Sequence, residues 1–355
     1  MVKLATQRPT DRDCHQDTIY SGMTTHILIC DDSAVARKQM ARALPPDWDT
    51  ELHFAEHGSQ ALSMLRQHAF DLLLLDLNMP VLDGFGVLEA IRREHLEVLT
   101  LVVSADIQPR ARERVQALGA MAFIAKPVNT GELAGLLRRY GLYQPGQQQA
   151  GIIPAAPDTS LELCDYLQEV ANIAMGRASD LLARLLDVFV RQPVPRVAHI
   201  ARTELSMAIS AADDDGGFSA VCQGFVGAGI SGEALLLFSD SGMEEMARLL
   251  HLPSSDTTEP DVEVLMDMSS ILFGAFLKGL GDQLDVRLGL GQPTVLGRHQ
   301  PITSLLEHHS NKHEQLLCIE IPYALEQHQV HCNLLVLLTE TSVRRLEQNL
   351  AYMTE

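Results

Sequence analysis

The chain has 355 residues, with 27 Lys and Arg against 46 Asp and Glu, and a formal net charge of −19. Its length corresponds to two or three domains, and 46% hydrophobic with 21% charged residues is a balance that allows each to bury a core. The acid excess works against an electrostatic grip on nucleic acid or an anionic membrane surface, both of which need a basic face. No run of about 18 apolar residues reads as a membrane span. The N-terminal residues lack the apolar stretch of a secretion signal. Cys14, Cys30, Cys164, Cys222, Cys318 and Cys332 form no CxxC pair, as expected of reduced thiols in a cytoplasmic protein.

Residues 1–24 are polar and aperiodic and read as a flexible extension. From 25 to 143, short apolar runs at 26–30, 51–54, 71–76, 99–104 and 121–125 alternate with helical patterns at 33–44, 58–68, 83–94, 107–118 and 130–139. Nearly continuous apolar strands alternating with helices predict a doubly wound α/β domain, a five-stranded parallel sheet covered on both faces. Residues 144–160, QPGQQQAGIIPAAPDTS, read as a linker. Residues 161–355 form the second domain, and the stretch beyond residue 143 carries most of the negative charge.

An internal repeat marks this second part. Asp165, Glu169, Asn172 and Pro195 follow D-x3-E-x2-N-x22-P, and Glu263, Asp267, Ser270 and Pro293 repeat the spacing 98 residues later. Leu167, Ile173 and Gly176 recur as Leu265, Ile271 and Gly274. Such a period predicts a duplicated unit, each copy opening with a long helix, at about 160–188 and 260–283. Strand-like runs follow at 206–210, 218–227, 232–239, 316–323 and 331–338. The expectation is an α+β domain with two pseudo-equivalent helices on a largely antiparallel sheet.

In an open parallel sheet, ligands bind along the C-terminal edge. Asp31 and Asp32 end the first strand, Asp76 the third, Ser104 the fourth and Lys126 the fifth. Three converging carboxylates are costly without a cation, and an all-oxygen set suits Mg2+. With Asp76 inside LLLLDLNMPVLDG, Ser104-Ala105 and Lys126-Pro127, residues 26–140 resemble the receiver (CheY-like, flavodoxin-like) domain of two-component response regulators. The resemblance implies that Asp76 is the phospho-acceptor and that Asp31, Asp32 and Asp76 hold Mg2+. By the same resemblance Ser104 and Lys126 contact the phosphoryl oxygens, and Phe123 fills the aromatic switch position, although ordinary strand burial explains it nearly as well.

Along the first long helix, Asp165, Glu169, Asn172, Gly176 and Ser179 share one face. Leu163, Leu167, Val170, Ala174, Ala178, Leu181 and Leu185 lie opposite, so the expectation is that the leucines are buried and the acid, amide and glycine face solvent. The spacing resembles the CheC/CheX family of chemotaxis phosphatases, which remove phosphate from phospho-CheY. That resemblance implies that Asn172 orients the attacking water and Glu169 pairs with the lysine of the target receiver. In the second copy Asp267 and Ser270 stand in their places, and a serine hydroxyl is too short to hold water at the same reach. One active site per chain is expected.

The glycine pattern at 227–232 lacks a following helix and reads as a hairpin rather than a dinucleotide loop. His308, His309 and His313 read as a solvated loop, and Asp213–Asp215 as an exposed turn. The leading expectation is a signalling protein whose receiver regulates a CheC-like domain hydrolysing aspartyl phosphate on a CheY-type response regulator or on its own receiver. Its phosphodonor would be a CheA-like histidine kinase, and CheC resemblance suggests a CheD-like partner. The rival expectations are a non-catalytic, phosphorylation-controlled docking module and a phosphate sink.

Overall fold

The structure, a computed structural model, describes residues 24–145, 162–201, 217–252, 260–300 and 315–354. Most of the N-terminal extension and the linker, the run at 206–210, Asp213–Asp215 and the three loop histidines lie outside these residues.

Strands β1 (Thr25–Cys30), β2 (Thr50–Ala55), β3 (Leu72–Leu75), β4 (Leu99–Ser104) and β5 (Ala122–Ala125) alternate with helices α1 (Ala34–Ala43), α2 (Gly58–Gln67), α3 (Gly84–Glu94), α4 (Pro109–Ala117) and α5 (Thr130–Arg139). Every pairing is parallel, in the order β2-β1-β3-β4-β5. Alternation decides the two cores. Leu72 and Leu74 face Met40 of α1 and Leu133 and Leu137 of α5, whereas Leu73 and Leu75 face Leu62 of α2, Leu88 of α3 and Val115 of α4. Because β2 lies on one side of β1 and β3 on the other, a crevice opens between the ends of β1 and β3, where Asp31 and Asp76 stand.

Gly84 opens α3 beneath this edge. Its N–H donates to the Leu77 carbonyl at 2.9 Å, while a Cβ there would lie 2.3 Å from the Asp76 carbonyl oxygen. Asp83 before it caps the helix by accepting from the Gly86 N–H at 2.7 Å.

The second part builds an eight-stranded sheet from β6 (Val190–Arg191), β7 (Arg196–Ala201), β8 (Phe218–Gly227), β9 (Ile230–Ser239), β10 (Gly289–Leu290), β11 (Thr294–Gln300), β12 (Gln315–Leu325) and β13 (His331–Leu338). Its pairings are antiparallel, and β9 and β13 lie side by side at the centre. Helices α6 (Leu163–Leu186) and α8 (Pro260–Gln283) cross on one face, where Gly279 brings α8 against the Ala174 backbone. Leu236, Phe238, Ile319, Ile321, Leu334 and Val336 fill the space beneath them. The 227–232 glycines make a tight β8–β9 hairpin, with positive φ at Ala228 and Gly229.

Three readings need correction. Leu181 and Leu185 are 48% and 55% exposed, because toward the C-terminal end of α6 the packed face passes round the helix to Ser179, Leu182, Ala183 and Leu186. Helix α8 is long and apolar enough by composition to cross a membrane, with a mean hydropathy of 1.4 over its best window, yet its apolar residues line the core of this unit. Helices α7 (Met243–Leu249) and α9 (Glu340–Thr354) were not anticipated.

Gly84→Ala is expected to cost about 1–3 kcal/mol, since the new methyl group meets backbone that cannot yield. Urea unfolding of the wild type and the variant, compared at constant slope, checks this.

Candidate functional site

The sheet edge collects the predicted side chains into one buried pocket. Asp31, Asp76, Ser104 and Lys126 are all buried, and Asp32 is half-buried. Asp31 Oδ1 accepts from the Ser33 N–H at 2.9 Å, and Asp76 Oδ2 from the Asn78 N–H at 3.1 Å. Lys126 Nζ lies 2.6 Å from Asp31 Oδ2 and 3.6 Å from Asp76 Oδ1. Arg37 Nη1 donates to the carbonyls of Asp31 and Asp32, tying helix α1 to the loop that carries both acids. Ser104 Oγ accepts from the Asp106 N–H at 3.2 Å. Phe123 is half-buried against the core, with the Arg112 guanidinium 4.8 Å above its ring.

The expectation of a solvent-facing α6 is overturned. Glu169 and Asn172 are only 2% and 5% exposed, because their helix face lies on the receiver-like pocket of the same chain. Glu169 Oε1 is 3.4 Å from Lys126 Nζ. Two turns further, Gly176 abuts the backbone after Ser104, and a Cβ on it would lie 2.0 Å from the Ala105 carbonyl oxygen. Asn172 sits between these two contacts, with its Oδ1 buried and without a hydrogen-bond partner.

Residues that the sequence did not single out hold the two parts together. The Gln108 side chain pairs with the Val190 backbone in both directions, donating to its carbonyl at 2.9 Å and accepting from its N–H at 3.0 Å. Asn78 Nδ2 donates to Gln192 Oε1 at 3.0 Å, and Gln192 Nε2 donates to Asp106 Oδ1 at 3.2 Å. Arg110 reaches the carbonyl of Asp187 at 2.9 Å, and Phe189 packs on the receiver-side core. The only sequence signal for these residues is their position, directly after Asp76 and Ser104 or just before the repeat proline.

Burial sets the electrostatics. It pushes Asp32 up to about 7, helped by the charge of Asp31, and Asp106 up to about 6. Asp76 and Glu169 are raised by the same loss of water although Lys126 opposes the shift. For Lys126, burial works against the charge, but the three carboxylates outweigh it and hold the ammonium protonated. One oxygen each of Asp31, Asp32 and Asp76 lie within 4.8 Å of one another. Asp76 Oδ1 accepts no hydrogen bond there, and Asp31 Oδ2 meets the Lys126 ammonium. Such an all-oxygen set fits Mg2+.

Residues 27–138 match the response regulator receiver domain family. Over 108 residues the chain is 36% identical to a protein-glutamate methylesterase/protein-glutamine glutaminase of Trichodesmium erythraeum, covering 30% of this chain and 31% of that protein. It is 28% identical over 177 residues to the signal transduction histidine-protein kinase BarA of Escherichia coli, covering 47% of this chain and 19% of the kinase. The chain thus spans about a third or less of these relatives. Among solved structures it is similar to FliY of Thermotoga maritima, at 16% identity and a TM-score of 0.42 over 55% of this chain and 98% of that one. It is also similar to a chain of the CheX-CheY-BeF3-Mg+2 complex of Borrelia burgdorferi, at 24% identity and a TM-score of 0.31 over 33% of this chain and 88% of that one. By the family match, residues 27–138 are a receiver domain of two-component signalling, with a five-stranded parallel sheet.

Mg2+ affinity is expected to level off above pH 7 and to fall by about tenfold per pH unit below it, because the proton held by Asp32 must leave before metal binds. Calorimetric titration from pH 5.5 to 8 measures it; a flat profile would show that Asp32 is not a ligand or holds no proton in this range.

Proposed function

We propose that Asp76 receives a phosphoryl group from a CheA-like histidine kinase and that the α6 face of a CheC-like second domain hydrolyses the aspartyl phosphate of a receiver. The observation that carries this reading is the placement of Glu169 on Lys126 with the buried, unpartnered Asn172 Oδ1 on the same helix face.

Each residue has a task that its chemistry suits. Asp31, Asp32 and Asp76 would hold Mg2+, which when bound neutralises charge on the phosphoryl oxygens. Lys126 adds a fixed ammonium at the same oxygens, and Ser104 offers a hydroxyl. Glu169 grips Lys126 from the other domain and so sets the height of α6 over the pocket. Asn172 can both accept from and donate to one water, fixing its lone pair toward phosphorus. Water adds its oxygen to phosphorus, and the bond from phosphorus to the Asp76 oxygen breaks with its electron pair on the carboxylate. The water protons leave with inorganic phosphate or to solvent, so no covalent intermediate with Asn172 or Glu169 is needed.

The second helix supports one working site per chain. Asp267 and Ser270 of α8 are exposed, and the Ser270 hydroxyl is turned back on its own helix, donating to the Met266 carbonyl at 2.7 Å. The topology also favours duplication. Short strands β6 and β7 after α6 pair with β12, as β10 and β11 after α8 pair with β8, an exchange about the β9–β13 centre.

Asn172→Ala is expected to lengthen the life of the aspartyl phosphate about a hundredfold, the size of losing one well-placed polar group. Asp76→Asn should take up no label from a phosphodonor. Decay of 32P label on the purified chain checks both; equal decay of wild type and Asn172→Ala would leave a docking module without turnover.

A further inference from the structure

We infer that the substrate of the Glu169–Asn172 helix is the aspartyl phosphate of the receiver in its own chain. The inference rests on the phosphatase reading above and adds which receiver is served.

Its basis is that the two halves of the site already meet within one molecule. Glu169 reaches Lys126, and Gly176 lies against the Ala105 backbone with room for a hydrogen but not a methyl group. These two contacts bracket Asn172 along about 10 Å of one helix face.

The contacts outside the motif make the seating particular to this pair of surfaces. Gln108 mimics a strand edge for Val190, taking up both of its backbone polar groups. Asn78, two residues beyond the phospho-acceptor, reads Gln192, and Gln192 in turn reads Asp106. Phe189 closes the apolar part of the same seam. A receiver without the matching glutamine would leave both buried Val190 groups unpaired, and one without the asparagine would lose the partner of Gln192 Oε1.

Connection adds a concentration effect. Tethered in the same chain, the receiver faces α6 at an effective concentration on the order of millimolar, well above that of a separate receiver in micromolar solution. The bond changes are those given above: phosphorus passes from the Asp76 oxygen to a water oxygen within one molecule.

The test labels the full chain at Asp76 with 32P-acetyl phosphate and Mg2+, removes the donor and follows decay. First-order loss with a rate constant unchanged over a hundredfold dilution is expected. Labelled Asn172→Ala chain is then mixed with an excess of unlabelled Asp76→Asn chain, which keeps α6 intact but cannot be labelled. The expected result is that label on Asn172→Ala remains as long-lived as without the second chain. Loss that quickens in proportion to added Asp76→Asn would overturn the inference in favour of action between molecules, while leaving the phosphatase reading standing. If Asn172→Ala alone decays as fast as wild type, the phosphatase reading itself fails. Gly176→Leu keeps Glu169 and Asn172 but cannot seat against Ala105, so its label should last as long as that of Asn172→Ala. Wild-type decay in that variant, with its far-UV circular dichroism unchanged, would also overturn the inference.

Discussion

One ammonium group organises the molecule. Lys126 is buried among Asp31, Asp76 and Glu169, the first two from its own domain and the third from the other. A lone buried lysine would lose its proton, and buried carboxylates would gain one. Here the three carboxylates keep Lys126 charged, and Lys126 opposes the rise that burial imposes on Asp76 and Glu169, so the full set is together only while α6 is seated. Removing any member leaves a charge buried without its counterpart, which is why such clusters destabilise strongly when broken, although they contribute little net stability when whole. The contact between the domains and the chemistry at Asp76 therefore share one electrostatic element. A phosphoryl group on Asp76, or a cation among the acids, changes the same balance that holds Glu169 in place.

The fold supplies the geometry by simple rules. Parallel strands with helices on both faces deliver the acids to one edge, and the change of direction between β1 and β3 opens the crevice there. On the other side, α6 presents an acid, an amide and a glycine in steps of three and four, so all three meet that edge together. Its counterpart α8 keeps the spacing but not the side chains. Gly274 has nothing within 4 Å of where its Cβ would stand, whereas Gly176 is pressed against Ala105. Two helices of one pattern thus sit in opposite surroundings, and the one with the asparagine is the one that is covered.

Most of the receiver was legible because burial and chemistry agree residue by residue. Leu72–Leu75 must be a central strand, since no residue in the run tolerates water, and Asp76 must follow at the edge. The strand-like runs at 218–227, 232–239, 316–323 and 331–338 likewise marked β8, β9, β12 and β13, whereas β6, β7, β10 and β11 were not anticipated. What escaped was the contact between the parts. The polar face of α6 reads like any solvated face, because a glutamate and an asparagine with partners elsewhere in the chain have the same local pattern as two that meet only water. Gln108, Gln192 and Asn78 give no periodic signal at all; their meaning lies in pairing across more than 80 residues of sequence. The burial of Leu182 and Leu186 in place of Leu181 and Leu185 is a smaller case, in which the packed face moves round the helix toward its C-terminal end for reasons of tertiary contact that the period does not carry.

Burial of Asp76 carries a kinetic consequence. A phosphodonor must bring its phosphorus in line with an Asp76 oxygen, and with α6 seated that oxygen has no exposure to solvent. On the proposed reading, loading and seating would therefore exclude each other: the domains would part to admit the donor and come together again over the product. If seating alone then completes the hydrolytic site, the lifetime of the phosphoryl group is set by how often the seam of Gln108, Gln192 and Phe189 re-forms, rather than by meeting a second molecule. The same few contacts would govern both the loading of Asp76 and its discharge. Strengthening the seam would slow loading and hasten discharge, whereas loosening it would do the reverse, so on that reading the steady level of phosphorylation would respond to the seam twice over.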